Sequence, residues 1–173
     1  MSQVRTNSIV PSGGVPAGAF GGGIIQVVET KSNTQVSYSG SSSWRTVLTL
    51  SITPRSTSNK ILLIAMTTIA YGNGRPEAGA RFTRNGSPVY VTSGTLSNQI
   101  PKGNAFGRDV DNDYSATSNV MNQVDSPATT SAITYDLDMF VSENNSWYLN
   151  RTNNNSDYGM CGTTTFQALE ISG

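Results

Sequence analysis

The sequence predicts an all-β fold: a single β-sandwich of the jelly-roll type, preceded by an extended N-terminal arm. Apolar and polar residues alternate over several short segments, and clusters of Gly, Pro, Asn and Ser separate these segments as turns do. No segment of useful length has the periodicity of an amphipathic helix. The 173 residues have the length of one domain. We therefore predict an arm over residues 1–23 and a sandwich domain over residues 24–173.

The arm is predicted from its composition. Glycine and proline interrupt it too often for a helix or a core strand. Isolated apolar residues lie among them, at Ile9, Val10, Val15 and Phe20. Small residues let a backbone approach closely and apolar side chains fill pockets, so this pattern favours an arm that docks on a neighbour. The alternative is a frayed terminus with no partner.

Three apolar segments predict the first strands of the sandwich. IIQVVE begins the first strand at Ile24. WRTVLTLSI alternates, which places five residues on one face: Trp44, Thr46, Leu48, Leu50 and Ile52. KILLIAMTTIAY is almost continuously apolar, which is typical of a strand buried on both faces. Only residues 53–59 separate the last two segments, and this turn-rich stretch predicts a hairpin between them.

The middle of the chain contains a hairpin signal and a long polar excursion. Asn85-Gly86 lies between alternating segments, and this pair is preferred in a type I′ turn. Residues 94–118 are polar and weakly periodic. Loops of this length in compact domains tend to be functional or mobile.

The last strands follow from residues 132–142, SWYLNRT and TTTFQALEI. Within residues 132–142, alternation predicts one set of side chains facing the core: Ile133, Tyr135, Leu137, Met139 and Val141. The other set faces outward: Thr134, Asp136, Asp138 and Phe140.

Composition excludes several classes of site. The chain has no His, which removes His metal ligands and a Ser-His-Asp triad. Its one Cys, Cys161, excludes an intrachain disulfide and a zinc site with several cysteines. We therefore expect no catalytic residue, no metal and no cofactor. No apolar run approaches the ~18 residues of a membrane helix, and the N-terminus has no apolar segment typical of a secretory signal.

The net charge of zero conceals an uneven distribution. Residues 1–108 contain ten Lys or Arg and two acids, a net +8, whereas residues 109–173 contain one Arg and nine acids, a net −8. The halves would attract each other within one fold, or attract neighbouring copies. A nucleic-acid partner is not expected, because the chain lacks the overall basic charge of such binders, and a membrane partner is not expected either.

Two groups of carboxylates are candidates for chemistry. Asp109, Asp111 and Asp113 have the spacing of calcium ligands, but Tyr114 stands where the loop needs Gly and Val120 where it needs Glu. The three acids are therefore interpreted as a solvated loop available to a ligand or a neighbour. Asp136 and Asp138 share a strand face, as glycosidase carboxylates would; the alternative is a solvent-facing strand with two acids.

Aromatic residues supply the remaining candidates. Phe140 is predicted on the outward face beside the acids, and Phe is favoured in subunit interfaces. Trp147 and Tyr148 point to opposite faces of one strand, so one is expected in the core and the other at an interface or against a sugar. We predict that Phe140 and Trp147 lie at a subunit interface.

Four segments carry a resemblance to a known family. GGGIIQVVET (residues 21–30), LSITPRSTSNKILL (50–63), DSPATTSAITYDL (125–137) and ALEI (168–171) resemble small virion structural proteins of tailed phages that infect cyanobacteria and other aquatic bacteria. Members of the family are often labelled tail-fibre or hypothetical proteins. The resemblance implies a trimeric β-sandwich on the particle exterior, made in the host cytoplasm.

Three functions are consistent with the sequence. The first is a capsid decoration or cement protein, a homotrimer that binds the major capsid protein or other virion proteins through its arm. The second is a tail-fibre or receptor-binding protein that binds a host surface glycan. The third is a glycan-cleaving enzyme that uses Asp136 and Asp138. The residues favour a non-enzyme.

Overall fold

The structure is a computed structural model, and it describes residues 23–38, 43–71, 78–90, 104–105, 116–141, 146–154 and 159–173. Within these ranges the chain forms strands and no helix, so none is present that is long and apolar enough to cross a membrane. The strands are β1 (Ile24–Ser32), β2 (Val36–Tyr38), β3 (Trp44–Ile52), β4 (Lys60–Tyr71), β5 (Ala78–Arg84), β6 (Ser87–Pro88), β7 (Asn104–Ala105), β8 (Thr117–Asp125), β9 (Ile133–Val141), β10 (Trp147–Leu149) and β11 (Thr164–Ile171).

The strands form two antiparallel sheets. Sheet A has the order β1-β11-β4-β10-β2, and β8 pairs with the other edge of β4. Sheet B has the order β3-β9-β5-β6, with β7 also paired to β5. The predicted all-β sandwich is confirmed.

The core lies between the inner faces of the two sheets. Alternate residues of β4 and β11 face the core from sheet A, and Ala78, Ala80 and Phe82 of β5 and Ile133, Tyr135, Leu137 and Met139 of β9 face it from sheet B. The rings of Phe82 in sheet B and Phe166 in sheet A stack across the sandwich with centroids 5.2 Å apart. Burial of a side chain of this size contributes about 1.5–3 kcal/mol to stability, so this ring pair helps to hold the two sheets together.

A β-bulge in β3 reverses the face of its first residues. Thr46 pairs with Asp138 and Leu48 pairs with Leu137, so Val47 is the extra residue. Because a shift of one residue moves every side chain to the other face, Trp44 and Thr46 lie on the outer face. Leu48, Leu50 and Ile52 face the core. The prediction that all five share one face is wrong for the first two.

The segment between β3 and β4 crosses the sandwich and is not a hairpin, so that prediction is also wrong. β3 pairs with β9 in sheet B, whereas β4 pairs with β8, β10 and β11 in sheet A. The buried carboxylate of Glu170 in β11 accepts hydrogen bonds from the backbone N–H of Arg55 at 2.7 Å and from Nδ2 of Asn59 at 2.5 Å. These bonds attach the connection to sheet A.

The predicted turn at Asn85-Gly86 is confirmed. The φ angles are 48° at Asn85 and 81° at Gly86, as a type I′ turn requires at both central positions. The backbone N–H of Asn85 donates to the carbonyl of Thr134, and the Asn85 side chain accepts from the Thr134 N–H at 3.0 Å. The hairpin is therefore anchored to β9.

Two features of sheet A differ from the prediction. Strand β8 was not predicted, because both of its faces carry polar residues in sequence. Strand β4 was predicted to be buried on both faces, but only one face is fully buried: Ile61, Leu63 and Ala65 are inaccessible, whereas Leu62 and Ile64 are half-buried and Met66 is exposed. The opposite side of sheet A is therefore an apolar surface.

Candidate interaction surface

The outer face of sheet B is polar and internally hydrogen-bonded. In one cross-strand row, Asp138 accepts a hydrogen bond from Thr46 Oγ1 at 2.8 Å and forms an ion pair with Arg81 at 3.1 Å. In the next row, Asp136 accepts from Thr49 Oγ1 at 2.6 Å and from Thr83 Oγ1 at 3.3 Å. The two carboxylates considered for glycoside hydrolysis are therefore each bound by their strand neighbours.

Phe140 lies on this outer face but is covered. Trp44 stands beside it with ring centroids 5.4 Å apart, and the Arg81 guanidinium lies 4.2 Å from the Trp44 ring. Only 7% of Phe140 is exposed. Phe140 therefore lies on the outward face, as predicted, but it is shielded from solvent because the bulge in β3 places Trp44 on the same face beside it. Its role in a subunit interface stays a prediction.

Trp147 belongs to the core. It stacks on Tyr38 with centroids 4.0 Å apart, and 2% of it is exposed. Tyr148, on the other face of β10, is covered by the Arg151 guanidinium at 4.2 Å, and Arg151 Nη2 donates to Ser37 Oγ at 2.7 Å. Of the two aromatic residues, Trp147 is therefore the one in the core and Tyr148 lies on the outer face. The interface role of Trp147 stays a prediction.

The outer face of sheet A has the opposite character. Val27, Leu169, Leu62 and Val124 are successive cross-strand partners on β1, β11, β4 and β8. They form one aliphatic row across the sheet. The two central leucines are half-buried by their neighbours, whereas Val27 is 56% and Val124 is 52% exposed.

The row continues diagonally in both directions. At one end, Ile24 pairs with Ile171. Toward the other end, Ile64 occupies the next row of β4, and Met66 pairs with Val120, which is 68% exposed. We name this set the apolar stripe, and its residues are Ile24, Val27, Leu62, Ile64, Met66, Val120, Val124, Leu169 and Ile171.

Charged residues border the apolar stripe and do not interrupt it. Glu29 and Lys31 lie on β1, at the positions that pair with Gln167 and Thr165. Lys60 begins β4 opposite Ile171. Exposed aliphatic surface is unfavourable in water by about 25 cal/mol per Å². The stripe is continuous along β4, whereas Asn122 separates Val120 from Val124 on β8. An aliphatic patch of this kind marks a contact surface more often than a solvent-facing one.

Ion pairs connect the two oppositely charged halves of the chain. Arg84 Nη1 lies 3.0 Å from both carboxylate oxygens of Asp125, which also accepts a hydrogen bond from Tyr135 at 2.6 Å. Arg81 and Asp138 make the corresponding contact on the outer face of sheet B. The uneven charge distribution is thus used, at least in part, within one chain.

The other predicted site residues lie outside the described residues. These are Ile9, Val10, Val15 and Phe20 of the arm, and Asp109, Asp111 and Asp113 of the acidic loop. The sequence analysis missed the apolar stripe. Two features of the sequence pointed to it: Val120 and Val124 share one face of β8, and β4 has apolar residues on both of its faces. The sequence alone does not show that these two strands lie side by side.

No protein-family model matches the chain, and no curated protein matches it. Among solved structures, it is similar to those of infectious bursal disease virus. For the Gx strain the TM-score is 0.41 at 11% identity, with 86% of this chain and 40% of that chain covered. For the Gt strain the TM-score is 0.43 at 11% identity, with 86% of this chain and 40% of that chain covered. For the crystal structure of the VP2 subviral particle of this virus the TM-score is 0.41 at 11% identity, with 84% of this chain and 39% of that chain covered.

This chain therefore spans 39–40% of the length of the viral chains to which it is similar. Identities and TM-scores this low support no inference about function.

Proposed function

We propose that this chain is a structural protein of a bacteriophage particle, located on its exterior, where it serves as a capsid decoration protein. The observation that carries the proposal is the contrast between the two outer faces of the sandwich. One face is a hydrogen-bonded polar surface suited to water, and the other is the apolar stripe, which needs a partner. The resemblance of four sequence segments to small phage virion proteins supplies the setting.

A protein with two such faces suits the surface of a particle. The outer face of sheet B suits contact with solvent because Asp138 is paired with Arg81 and both of its acids accept hydrogen bonds from threonine hydroxyls. Sheet A loses unfavourable hydration when another protein covers it. Only 13% of the residues are charged, so self-repulsion between many neighbouring copies is weak.

The proposal assigns attachment to the N-terminal arm. Residues 1–23 contain one charged residue, Arg5, and four apolar anchors: Ile9, Val10, Val15 and Phe20. In this proposal the arm contacts the major capsid protein or another virion protein, and the sandwich assembles as a homotrimer. Many copies that each bury a modest arm would bind the shell with high avidity.

A tail-fibre or receptor-binding protein is the second candidate. The observation that favours it is the half-buried Tyr148 ring with Arg151 stacked on it, since an aromatic ring beside hydrogen-bond donors suits a host surface glycan. We propose no enzymatic activity. The Asp136→Asn variant tests this point: loss of a glycan-degrading activity on that substitution would contradict it.

Copy number in purified particles tests the proposal. Quantitative mass spectrometry against the major capsid protein should give about one copy per capsid subunit, or one trimer per few subunits. A few tens of copies per particle would instead favour the tail-fibre candidate. Absence from purified particles would contradict both functions.

A further inference from the structure

We propose that the apolar stripe is the surface through which copies of this chain bind each other. This inference rests on the proposed function, in which copies assemble, and it names the partner of sheet A. The stripe differs from the aromatic interface predicted from sequence, since Phe140 and Trp147 are buried within one chain.

The size of the face fits a contact between subunits. Its four strands span about 19 Å, and its rows cover about 23 Å along the strands, so the planar footprint is on the order of 400 Å². A standard interface buries about 800 Å² per partner, with an apolar centre and a polar rim. The stripe supplies the centre, and Glu29, Lys31, Lys60 and Thr165 surround it as the rim.

The shape of the face favours a second sheet as the occupant. The apolar stripe lies on an open sheet surface, and a second sheet with a similar surface suits it as a partner. Sheets pack face to face about 10 Å apart when aliphatic side chains from both interdigitate. An identical stripe presents aliphatic rows with the same spacing, so a second copy meets this requirement without any other protein.

The charges permit this self-association. Two identical faces repel each other when they carry a strong charge of one sign, but the stripe contains no charged residue. Its rim contains both signs, with Glu29 beside Lys31 on β1 and Lys60 at the start of β4. Rim charges of opposite sign on two copies can therefore face each other.

The free edge of β8 also lacks residues that would prevent association. Among the described strands, β8 pairs only with β4. Its sequence, TSNVMNQVD, contains no Lys or Pro of the kind that protects exposed edges from association. The stripe therefore reaches the sheet edge without a feature that would keep another copy away.

Sedimentation of the full chain tests the inference. The test variant carries Val120→Lys and Val124→Lys, which place two charges in the stripe at exposed positions where the fold tolerates them. The control is Ser118→Lys, which adds one lysine on the same strand and face, beyond the end of the stripe, and each single variant, Val120→Lys and Val124→Lys, is compared with it. Circular dichroism and thermal unfolding of each protein report whether the fold is retained.

Two identical faces that pack on each other are related by a two-fold axis, so the stripe joins chains in pairs and is a separate contact from the one that closes the proposed homotrimer. The wild-type chain should therefore form dimers, or pairs of trimers, through the stripe. The dissociation constant of the double lysine variant should be about tenfold to a hundredfold higher than that of the wild type, because the apolar burial of two valines is lost. The Ser118→Lys control should associate as the wild type does. If the lysine pair disturbs folding, Val120→Thr with Val124→Thr removes apolar surface while it keeps β-branched residues, and weaker association is again expected.

Two results would overturn the inference. One is a monomeric wild-type chain at all concentrations, in which case the stripe binds the arm or another protein. The other is an oligomer that neither stripe variant weakens. Copy number in particles is measured separately. A monomer found in particles contradicts this inference and the proposed homotrimer but leaves the virion role standing, whereas a stripe-dependent oligomer absent from particles contradicts only the proposed function.

Discussion

The Glu170 carboxylate accepts a hydrogen bond from Nδ2 of Asn59 at 2.5 Å, and this contact joins the last strand of sheet A to the connection from sheet B. Gln26 Nε2 donates to the same carboxylate at 2.6 Å and to the carbonyl of Thr53 at 2.8 Å. One buried acid therefore links β1, β11 and the crossing segment. Burial raises the pKa of Glu170, but the hydrogen bonds from Asn59, Arg55 and Gln26 outweigh it, and the net pKa lies below its ordinary value.

Glu170→Gln should destabilise the fold by about 1–3 kcal/mol at neutral pH, because an amide N–H2 then faces groups that themselves donate. A lowered folded-state pKa contributes stability that is present above the unfolded-state value of 4.5 and is lost as pH falls through the folded-state value. The difference between wild type and variant should therefore narrow in acid. Denaturant unfolding across pH measures it.

Glu29→Gln is the matched control for that experiment. Glu29 is an exposed glutamate on β1, and its carboxylate accepts a hydrogen bond from Nε2 of Gln167. Its substitution should change stability by less than about 0.5 kcal/mol. An equal loss from both substitutions, or a Glu170→Gln loss that is the same at all pH values, would contradict the role given to Glu170.

Tyr135→Phe should cost about 1–2 kcal/mol, because it leaves the buried Asp125 without the hydrogen bond of 2.6 Å from the phenol. Burial, followed by the hydrogen bond and charge of Asp125, raises the pKa of Tyr135. A raised folded-state pKa gives stability that is lost as pH rises above the ordinary tyrosine value, so wild type should lose more stability in alkali than the variant does.

Tyr90→Phe provides the comparison, since Tyr90 is exposed. It should leave the unfolding free energy unchanged at neutral pH. Chemical denaturation of the three proteins at neutral and alkaline pH gives both quantities. Equal stability of Tyr135→Phe and wild type would show that the Asp125 contact contributes nothing.

Phe140→Ala should destabilise each chain by about 3–5 kcal/mol, as large-to-small substitutions of buried aromatic side chains do. The reason is the burial of this ring, which lies against the ring of Trp44 on the neighbouring strand. The loss should not depend on protein concentration. Unfolding at two concentrations that differ a hundredfold measures this, and a loss seen only at the higher concentration would instead support an interface role for Phe140.

Deletion of residues 1–20 should leave a folded sandwich that no longer decorates particles. Strand β1 begins at Ile24, so its pairing with β11 does not need the deleted residues. A binding assay with undecorated particles measures attachment, and circular dichroism measures folding. The control replaces Ser2 and Ser8 with Ala and should bind normally. Retained decoration by the truncated chain would contradict the role of the arm.

The sequence by itself determined the strand class, most strand positions and one turn. Alternation in residues 133–139 correctly predicted that Ile133, Tyr135 and Leu137 face the core, because side-chain direction in a strand follows from backbone geometry alone. The turn at Asn85-Gly86 was equally local, since both residues tolerate positive φ.

Only the tertiary structure decided which faces these strands present and to what. The bulge at Val47 placed Trp44 over Phe140, and no local pattern in β3 predicts an inserted residue. The row from Val27 through Leu169 and Leu62 to Val124 draws on four strands that are distant in sequence. Periodicity predicts which side chains of one strand share a face. Strand pairing determines which side chains of other strands lie beside them, and therefore whether the whole face is apolar. That pairing is settled by the burial of the core on the opposite side.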